Sequence, residues 1–440
     1  MTELDALGAF AVALVVSAVA TPLAARLAFR VGAVDRPRER GLSKRETPRL
    51  GGLAIFAAVL AAAALGLVAD GRMRAVLAGA AVIVVVGAFD DARADGLPPG
   101  VKLAGQVGAG LIPVLAGVVV QKVRIPFLDL VDFGDAAAPV TLVGLVAVMN
   151  VVNFSDGVDG LAAGVCAISA AAFSVIAFDL ADKAGPVTAL AHQRAAVLAA
   201  LTAGAALGFL IHNFHPASVF MGDSGSNLLG LLLGCVAIEG AVKTQAVVAL
   251  LFPLVILAVP FLDTGFVVAK RIKYGRPFYS ADRNHFHHRL VNIGFSQRRT
   301  VLYLYGWTLA LAGFALAIRF FPWSNHHGHF SPPWMAALAV LGLAELGLSV
   351  YLVVVLEILK FRRVRFRQLR HELPTDTSEH EIDARVAAEL ETGEWDAVGP
   401  QGPDPGGRAQ VQPPAVVGSV RAGGQAQRRR DRARDREART

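Results

Sequence analysis

The sequence predicts an all-α, polytopic integral membrane protein, and three observations carry that prediction. Its 440 residues are 54% hydrophobic with a mean hydropathy of +0.52, far too apolar for a soluble chain of this size. The apolar residues gather in runs suited to crossing a bilayer, which takes about 20 residues per helix. The loops between those runs alternate between rich and poor in Lys and Arg, as in a chain that crosses a membrane repeatedly.

In chain order the apolar windows fall near 6–25, 51–69, 74–89, 101–120, 139–153, 160–180, 195–212, 226–240, 245–269, 301–320 and 334–359, about eleven helices with several shorter than a full span. The first starts at Glu3 and Asp5 without a basic lead, so it reads as a retained helix rather than a cleavable signal. Cys166 and Cys235 both sit inside apolar windows, where a free thiol behaves as a small hydrophobe, and their spacing fits neither a zinc site nor a redox pair.

Orientation follows from the basic residues. Arg26 to Arg49 and Lys270 to Arg299 are the two rich loops, whereas Arg72 with Arg74, Lys122 with Arg124, and Lys183 with Arg194 mark poorer ones. The excess belongs in the cytoplasm, which puts the N-terminus outside and the C-terminus inside. Counted through the spans, four polar stretches emerge on that same cytoplasmic face: Asp90–Asp91, Asn150 to Asp159, Asn213 to Ser226, and Asp282 to Arg289. One such stretch is an ordinary solvated loop as readily as a site. Four on one face, with carboxylates beside a bilayer, indicate a substrate or ion site.

The transmembrane domain is expected over residues 1–360. Residues 361–440 read as a basic, disordered cytoplasmic tail: a basic run from Lys360 to Arg370 suited to anionic lipid headgroups, then a Pro-, Gly- and Arg-rich end without periodicity. Specific nucleic-acid binding is the weaker reading of that charge. Residues 376–393 fit one short helix with Thr377 or Ser378 as its cap.

The residue types suggest the chemistry. Asp90 and Asp91 precede Lys102 and Gln106, so a carboxylate pair faces a cation and an amide across a short loop. The run Asn150-Val-Val-Asn153-Phe-Ser-Asp156-Gly157-Val-Asp159-Gly160 puts two carboxamides and two carboxylates on a glycine-broken turn. Phe220-Met-Gly-Asp223-Ser-Gly-Ser226 offers a carboxylate, small hydroxyls and the amides of a helix start, a set suited to a Mg-bound diphosphate. Asn284-His285-Phe-His287-His288-Arg289 could bind the diphosphate or a transition metal; the hard oxygen ligands elsewhere favour the diphosphate and Mg2+, with Mn2+ as the alternative ion. His326, His327 and His329 fall on the outer side, away from these clusters.

Together these motifs resemble the polyprenyl-phosphate N-acetylhexosamine-1-phosphate transferases, in order and spacing over roughly residues 5 to 360, and Thr47-Pro-Arg-Leu-Gly-Gly52 resembles that family's early cytoplasmic motif. The His-x-His-His form is similar to the branch that uses UDP-N-acetylglucosamine rather than UDP-MurNAc-pentapeptide. The chain departs from its relatives at Ser218, where a basic residue is common. The resemblance implies transfer of a sugar 1-phosphate from a UDP-sugar to polyprenyl phosphate at the bacterial plasma membrane, releasing UMP in the first membrane step of an envelope glycan. It implies catalytic roles for Asp90, Asp91, Asp156, Asp159, His285, His287 and His288, and substrate contacts for Lys102, Gln106, Asn150, Asn153, Asn213, Phe220 and Arg289. Metal would sit on Asp223 with Asp156, and membrane lipids or a second copy in a homodimer would be the remaining partners. A secondary transporter or a noncatalytic assembly scaffold is the rival class, but a transporter would hold its polar groups near the midplane.

Overall fold

The computed structural model describes residues 3–35, 46–65, 70–93, 95–125, 129–241, 296–323, 331–351, 366, 369–370 and 378–392. Within them the regular structure is helical apart from two short antiparallel hairpins, Val34–Asp35 with Thr47–Pro48 and Lys122–Ile125 with Asp129–Asp132. The helices are α1 (Glu3–Val31), α2 (Gly51–Ala64), α3 (Gly71–Ala92), α4 (Pro99–Leu115), α5 (Ala137–Ser155), α6 (Leu161–Asp182), α7 (Pro186–Asn213), α8 (Gly222–Ala241), α9 (Gln297–Phe320), α10 (Pro332–Val350) and α11 (Glu379–Thr392). Among the described residues seven helical segments, on α1, α3, α5, α6, α7, α9 and α10, are long and apolar enough to cross a bilayer. At 14 and 17 residues, α2 and α4 fall short of a full span. The window at 245–269, the stretch from Asp282 to Arg289, His326 to His329 and the chain beyond residue 392 lie outside the described residues.

Packing follows the rule for helices in lipid, where association depends on close backbone approach rather than on a hydrophobic drive. Helices α1 and α7 meet through small residues: Ala6, Ala9 and Ala13 are buried, and a Cβ on Gly204 or Gly208 would lie 2.2 Å from the carbonyl oxygens of Phe10 and Leu14. Pro22 within α1 has no N–H for the carbonyl four residues back, that of Ala18. His212 near the end of α7 fills the gap, its Nε2 lying 2.9 Å from that oxygen. Because a carbonyl only accepts, Nε2 carries the hydrogen, and the bond fixes the end of α7 just where Asn213 begins the polar loop.

Helix α8 is apolar almost all round and occupies the centre, against α2, α3, α5, α6 and α7. Leu228, Leu229, Leu231, Leu232 and Leu233 on it have no exposed surface, as a helix enclosed on every side requires. Cys166 and Cys235 are free and buried, in the structural role expected of them.

Helices α1 to α8 alternate direction, so their ends gather at two poles. One pole collects the ends of α3, α5 and α7 with the starts of α4, α6, α8 and α9, joined by the bonds described below. The opposite pole carries its own ion network. Arg194 Nη1 meets Asp70 Oδ2 at 2.6 Å and its Nε lies 3.2 Å from Glu239 Oε2, which also draws Arg72 at 3.4 Å through Oε1. Asp70 in addition caps α3, accepting from the amide of Arg72 at 2.6 Å. Arg194 was expected in an outer loop; it instead lies two turns inside α7, 8% exposed, because Glu239 and Asp70 neutralise it there. Lys183 and Arg319 pair with Asp179 at the same pole.

Helix α11 has the expected cap. The Ser378 hydroxyl accepts from Glu381 N at 3.3 Å while the Glu381 carboxylate accepts from Ser378 N at 3.2 Å, a reciprocal capping box. Ile382 and Val386 bury against Leu369.

Candidate active site

The site is built around the start of α8. Gly222, at φ +72°, turns the chain into the helix where a Cβ would collide with the Arg49 carbonyl at 2.3 Å and the Asp91 carboxylate at 2.4 Å, so glycine is required on both counts. The segment before it is tied to the early motif: Phe220 N donates to the Pro48 carbonyl, and Gly51 N and Gly52 N donate to the carbonyls of Phe220 and Met221, all at 2.8–3.0 Å. The Thr47–Gly52 segment therefore braces the Phe220–Ser226 motif from behind, which is why two motifs far apart in sequence are needed at one place.

Asp91 accepts from Asp223 N at 2.8 Å through Oδ1, and from Ser224 N at 3.1 Å and Ser224 Oγ at 2.8 Å through Oδ2. The first amides of α8, which the sequence reading offered to a diphosphate, are thus taken by a side chain of α3. A negative group at a helix N-terminus is stabilising, and here it locks α3 to α8.

Asp90 beside it points elsewhere. Its Oδ1 accepts from Leu97 N at 2.5 Å, and its Oδ2 lies 2.8 Å from Lys102 Nζ. The same ammonium lies 2.8 Å from Asp223 Oδ2, while Asp223 Oδ1 accepts from Asn153 Nδ2 at 3.0 Å. Asn153 also donates to Ser226 Oγ at 2.9 Å. Asp90, Asp91 and Asp223 bring carboxylate oxygens within 4.8 Å of one another.

Below this cluster runs a chain of amides. Asn150 Nδ2 donates to Gln106 Oε1 at 2.9 Å, Gln106 Nε2 donates to Asn227 Oδ1 at 2.8 Å, and Asn227 Nδ2 donates to the Asp223 carbonyl at 2.8 Å. Gln106 is 6% exposed and both its polar ends are occupied within the chain, so it aligns α4, α5 and α8 under the carboxylates. Asn227 was missed from sequence, although a lone amide one turn after Asp223 in an apolar helix is itself a signal.

The second half of the site is the turn from Asp156 to Gly160. Asn213, 2% exposed, accepts from Gly160 N at 3.0 Å and donates to the Val219 carbonyl at 2.9 Å, so it frames the turn with both ends of its amide. Tyr305 Oη donates to the Gly160 carbonyl at 2.5 Å. Asp159 Oδ2 lies 2.8 Å from His215 Nδ1 and accepts from Ala217 N at 3.0 Å. His215 and Tyr305 were not singled out from sequence. Burial, reinforced by the negative charges of Asp223, Asp91 and Asp159, holds the Asp156 carboxyl well above the usual carboxylate range.

These residues fit a divalent cation. Three carboxylates, Asp90, Asp91 and Asp223, crowd one place, with the negative charge of Asp223 and Asp91 felt at Asp156, and among the described residues the cation seated between Asp90 and Asp223 is Lys102, whose ammonium bridges them. All the donors are hard oxygens, the set that selects Mg2+ or Mn2+ over softer-ligand metals. Of the residues singled out from sequence, the structure gathers Asp90, Asp91, Lys102, Gln106, Asn150, Asn153, Asp156, Asp159, Asn213, Phe220 and Asp223 at one pole. His285, His287, His288 and Arg289 lie outside the described residues.

Comparison with known proteins covers the same part of the chain. Residues 73–241, which include every side chain of both half-sites except Tyr305, match glycosyl transferase family 4. The chain is 36% identical over 312 residues to the probable undecaprenyl-phosphate N-acetylglucosaminyl 1-phosphate transferase of Bacillus subtilis, covering 70% of this chain and 82% of that protein. It is 39% identical over 333 residues to the decaprenyl-phosphate N-acetylglucosaminephosphotransferase of Mycobacterium leprae, with the same two coverages. Against the phospho-N-acetylmuramoyl-pentapeptide-transferase of Desulforudis audaxviator it is 35% identical over 337 residues, 70% of this chain and 95% of that protein.

Proposed function

Because the chain belongs to the polyprenyl-phosphate N-acetylhexosamine-1-phosphate transferases of glycosyl transferase family 4, we propose that it moves GlcNAc 1-phosphate from UDP-GlcNAc to polyprenyl phosphate. The observation that carries this reading is the Lys102 ammonium bridging Asp90 and Asp223 beside Asp91, a place suited to phosphate and cation together. In the reaction an oxygen of the lipid phosphate attacks the sugar-bearing phosphorus of the diphosphate. The bond to the bridging oxygen breaks, and UMP leaves with its electron pair. One phosphoanhydride is exchanged for another, so the protein's contribution is positioning and charge neutralisation.

Asp90 orients the lipid phosphate and takes its remaining proton, held for that by Leu97 N. Lys102 moves its charge from the two carboxylates toward the phosphate oxygens as substrate enters. Asp223 and Asp156 would hold Mg2+ or Mn2+, which supplies charge neutralisation on the diphosphate. Asp91, Gln106, Asn150 and Asn213 act through other groups, keeping α8 and the Asp156–Gly160 turn in place, while Asn153 fixes Asp223. His285, His287, His288 and Arg289 are assigned to phosphate contacts by the family resemblance.

A panel of UDP-sugars offered to the purified enzyme with polyprenyl phosphate and Mg2+ tests the reading. UDP-GlcNAc should release UMP and give a lipid heavier by one GlcNAc 1-phosphate. Turnover with UDP-MurNAc-pentapeptide in its place would move the chain to the other branch, and turnover with none would end the transferase reading.

The site's location is the second part of the proposal: the pole bearing Asp90 and Asp223 faces the cytoplasm, with the C-terminus on the same side. In a Cys166→Ala, Cys235→Ala background, Asp95→Cys on the exposed α3–α4 loop should resist an impermeant thiol reagent in intact cells and react once the membrane is opened. Asp135→Cys, exposed at the opposite pole, should be labelled at once. The reverse pattern would put the site outside, away from cytoplasmic UDP-sugars.

A further inference from the structure

We propose that His215 is a positioning residue that aims the Asp159 carboxylate at a neutral N–H or O–H donor of the nucleotide-sugar; this rests on the reading of the site given above. A carboxylate only accepts, so His215 Nδ1, 2.8 Å from Asp159 Oδ2, carries the hydrogen. The amide of Ala217 donates to the same oxygen at 3.0 Å. Two donors on one oxygen fix the plane of the carboxylate, and Oδ1 has no bond among the described residues. His215 is thus the side chain that decides where Oδ1 points.

The backbone that carries His215 is held at two places. Arg298 Nε, at the start of α9, donates to the His215 carbonyl at 3.0 Å, and Ser218 returns to the His212 carbonyl through its amide at 2.9 Å and its hydroxyl at 2.8 Å. The Asp159 turn is fixed independently, by Asn213 on Gly160 N and by Tyr305 on the Gly160 carbonyl. The hydrogen bond between His215 and Asp159 therefore joins the loop after α7 to the Asp159 turn, both already held by other bonds.

What Oδ1 receives follows from charge. Asp90 and Asp223 share the Lys102 ammonium, whereas Asp159 pairs with no Lys or Arg among the described residues. A phosphate oxygen brought to a carboxylate without a cation between them meets like charge and is repelled. A ribose or sugar hydroxyl, or the imide N–H of uracil, is accepted there instead. His215 would then tune affinity for the uridine end and leave the diphosphate end alone.

Binding of UDP and of inorganic pyrophosphate to the purified enzyme, in the presence of Mg2+, separates the two ends. His215→Phe should weaken UDP about tenfold or more, the effect of losing a hydrogen bond to a charged group, with pyrophosphate changed by less than about twofold. His215→Asn, whose amide can replace Nδ1 as donor, should recover UDP affinity to within about threefold. In an Asp159→Asn background His215→Phe should add nothing. Equal loss for both ligands, no loss for UDP, failure of the Asn variant to recover, or additive effects with Asp159→Asn would each overturn the proposal. If His215→Phe does not insert, His215→Gln, which carries its amide one carbon too far, is read by the same criteria. A wild-type protein that binds UDP but transfers no sugar phosphate would sink the transferase reading and leave this inference to the affinities; one that binds no UDP would sink the inference.

Discussion

Asp223→Asn should lower kcat at least about a hundredfold while the protein still inserts and folds, the scale of loss when one preorganised charge is taken from a reacting centre. The substitution is nearly isosteric, and the surroundings can absorb its neutral consequences. If the new amide turns its oxygen to Lys102, its nitrogen faces Asn153, which can rotate its own amide and accept; the Ser226 hydroxyl can then donate to Asn153. Hydrogen bonds are repaired that way, but the charge is not. Lys102 keeps Asp90 as its partner and the cation site loses one hard ligand, so the fall belongs in kcat and in the Mg2+ concentration needed for half activity. Asp132→Asn, on the exposed hairpin at the far pole, is the matched control and should change nothing. Normal turnover in Asp223→Asn would move the cation to another set of carboxylates.

Much of this site was legible in the sequence because its chemistry is expensive to place beside a membrane. Carboxylates and carboxamides adjoining apolar runs need a reason to exist, and Asp90, Asp91, Asn150, Asn153, Asp156, Asp159 and Asp223 stood out for that reason alone. Sequence could not divide the labour among them. Adjacent residues such as Asp90 and Asp91 look equivalent in one dimension, yet the helix sends one to Lys102 and the other into the start of α8. Asn227 was overlooked because it falls inside a leucine-rich window, and His215 because a single imidazole before a proline carries no pattern; only the fold brings it to Asp159. Arg194 was misplaced for a related reason. A window that stops at the first charge excludes an arginine whose partners, Asp70 and Glu239, lie on two other helices. The all-α class needed no such detail, since hydropathy alone sets it.

Chelation should abolish turnover: below about one part in a hundred of the activity should remain in EDTA, with Mg2+ restoring it and Mn2+ doing so in part, as expected when a required metal's charge stabilisation is removed. The reason is the balance of charge at the pole. Asp90, Asp91 and Asp223 bring three carboxylates against the one ammonium of Lys102 among the described residues, before a diphosphate and a lipid phosphate add theirs. Two like charges 4 Å apart repel by about 4 kcal/mol at the effective dielectric of a protein site, so the two phosphates cannot approach while that excess stands. Burial, together with the neighbouring negative charges, holds the Asp156 carboxyl well above the usual range, but a proton there would offset one charge where a divalent ion would offset two. Ca2+ should restore less than Mg2+, because it demands six to eight oxygen ligands where the pole offers few beyond the substrate's own. Measured UMP release that persists unchanged in chelator would mean that Lys102 and the basic groups beyond the described residues neutralise the diphosphate unaided, and the carboxylate cluster would then have to be explained by packing of α3 against α8 alone.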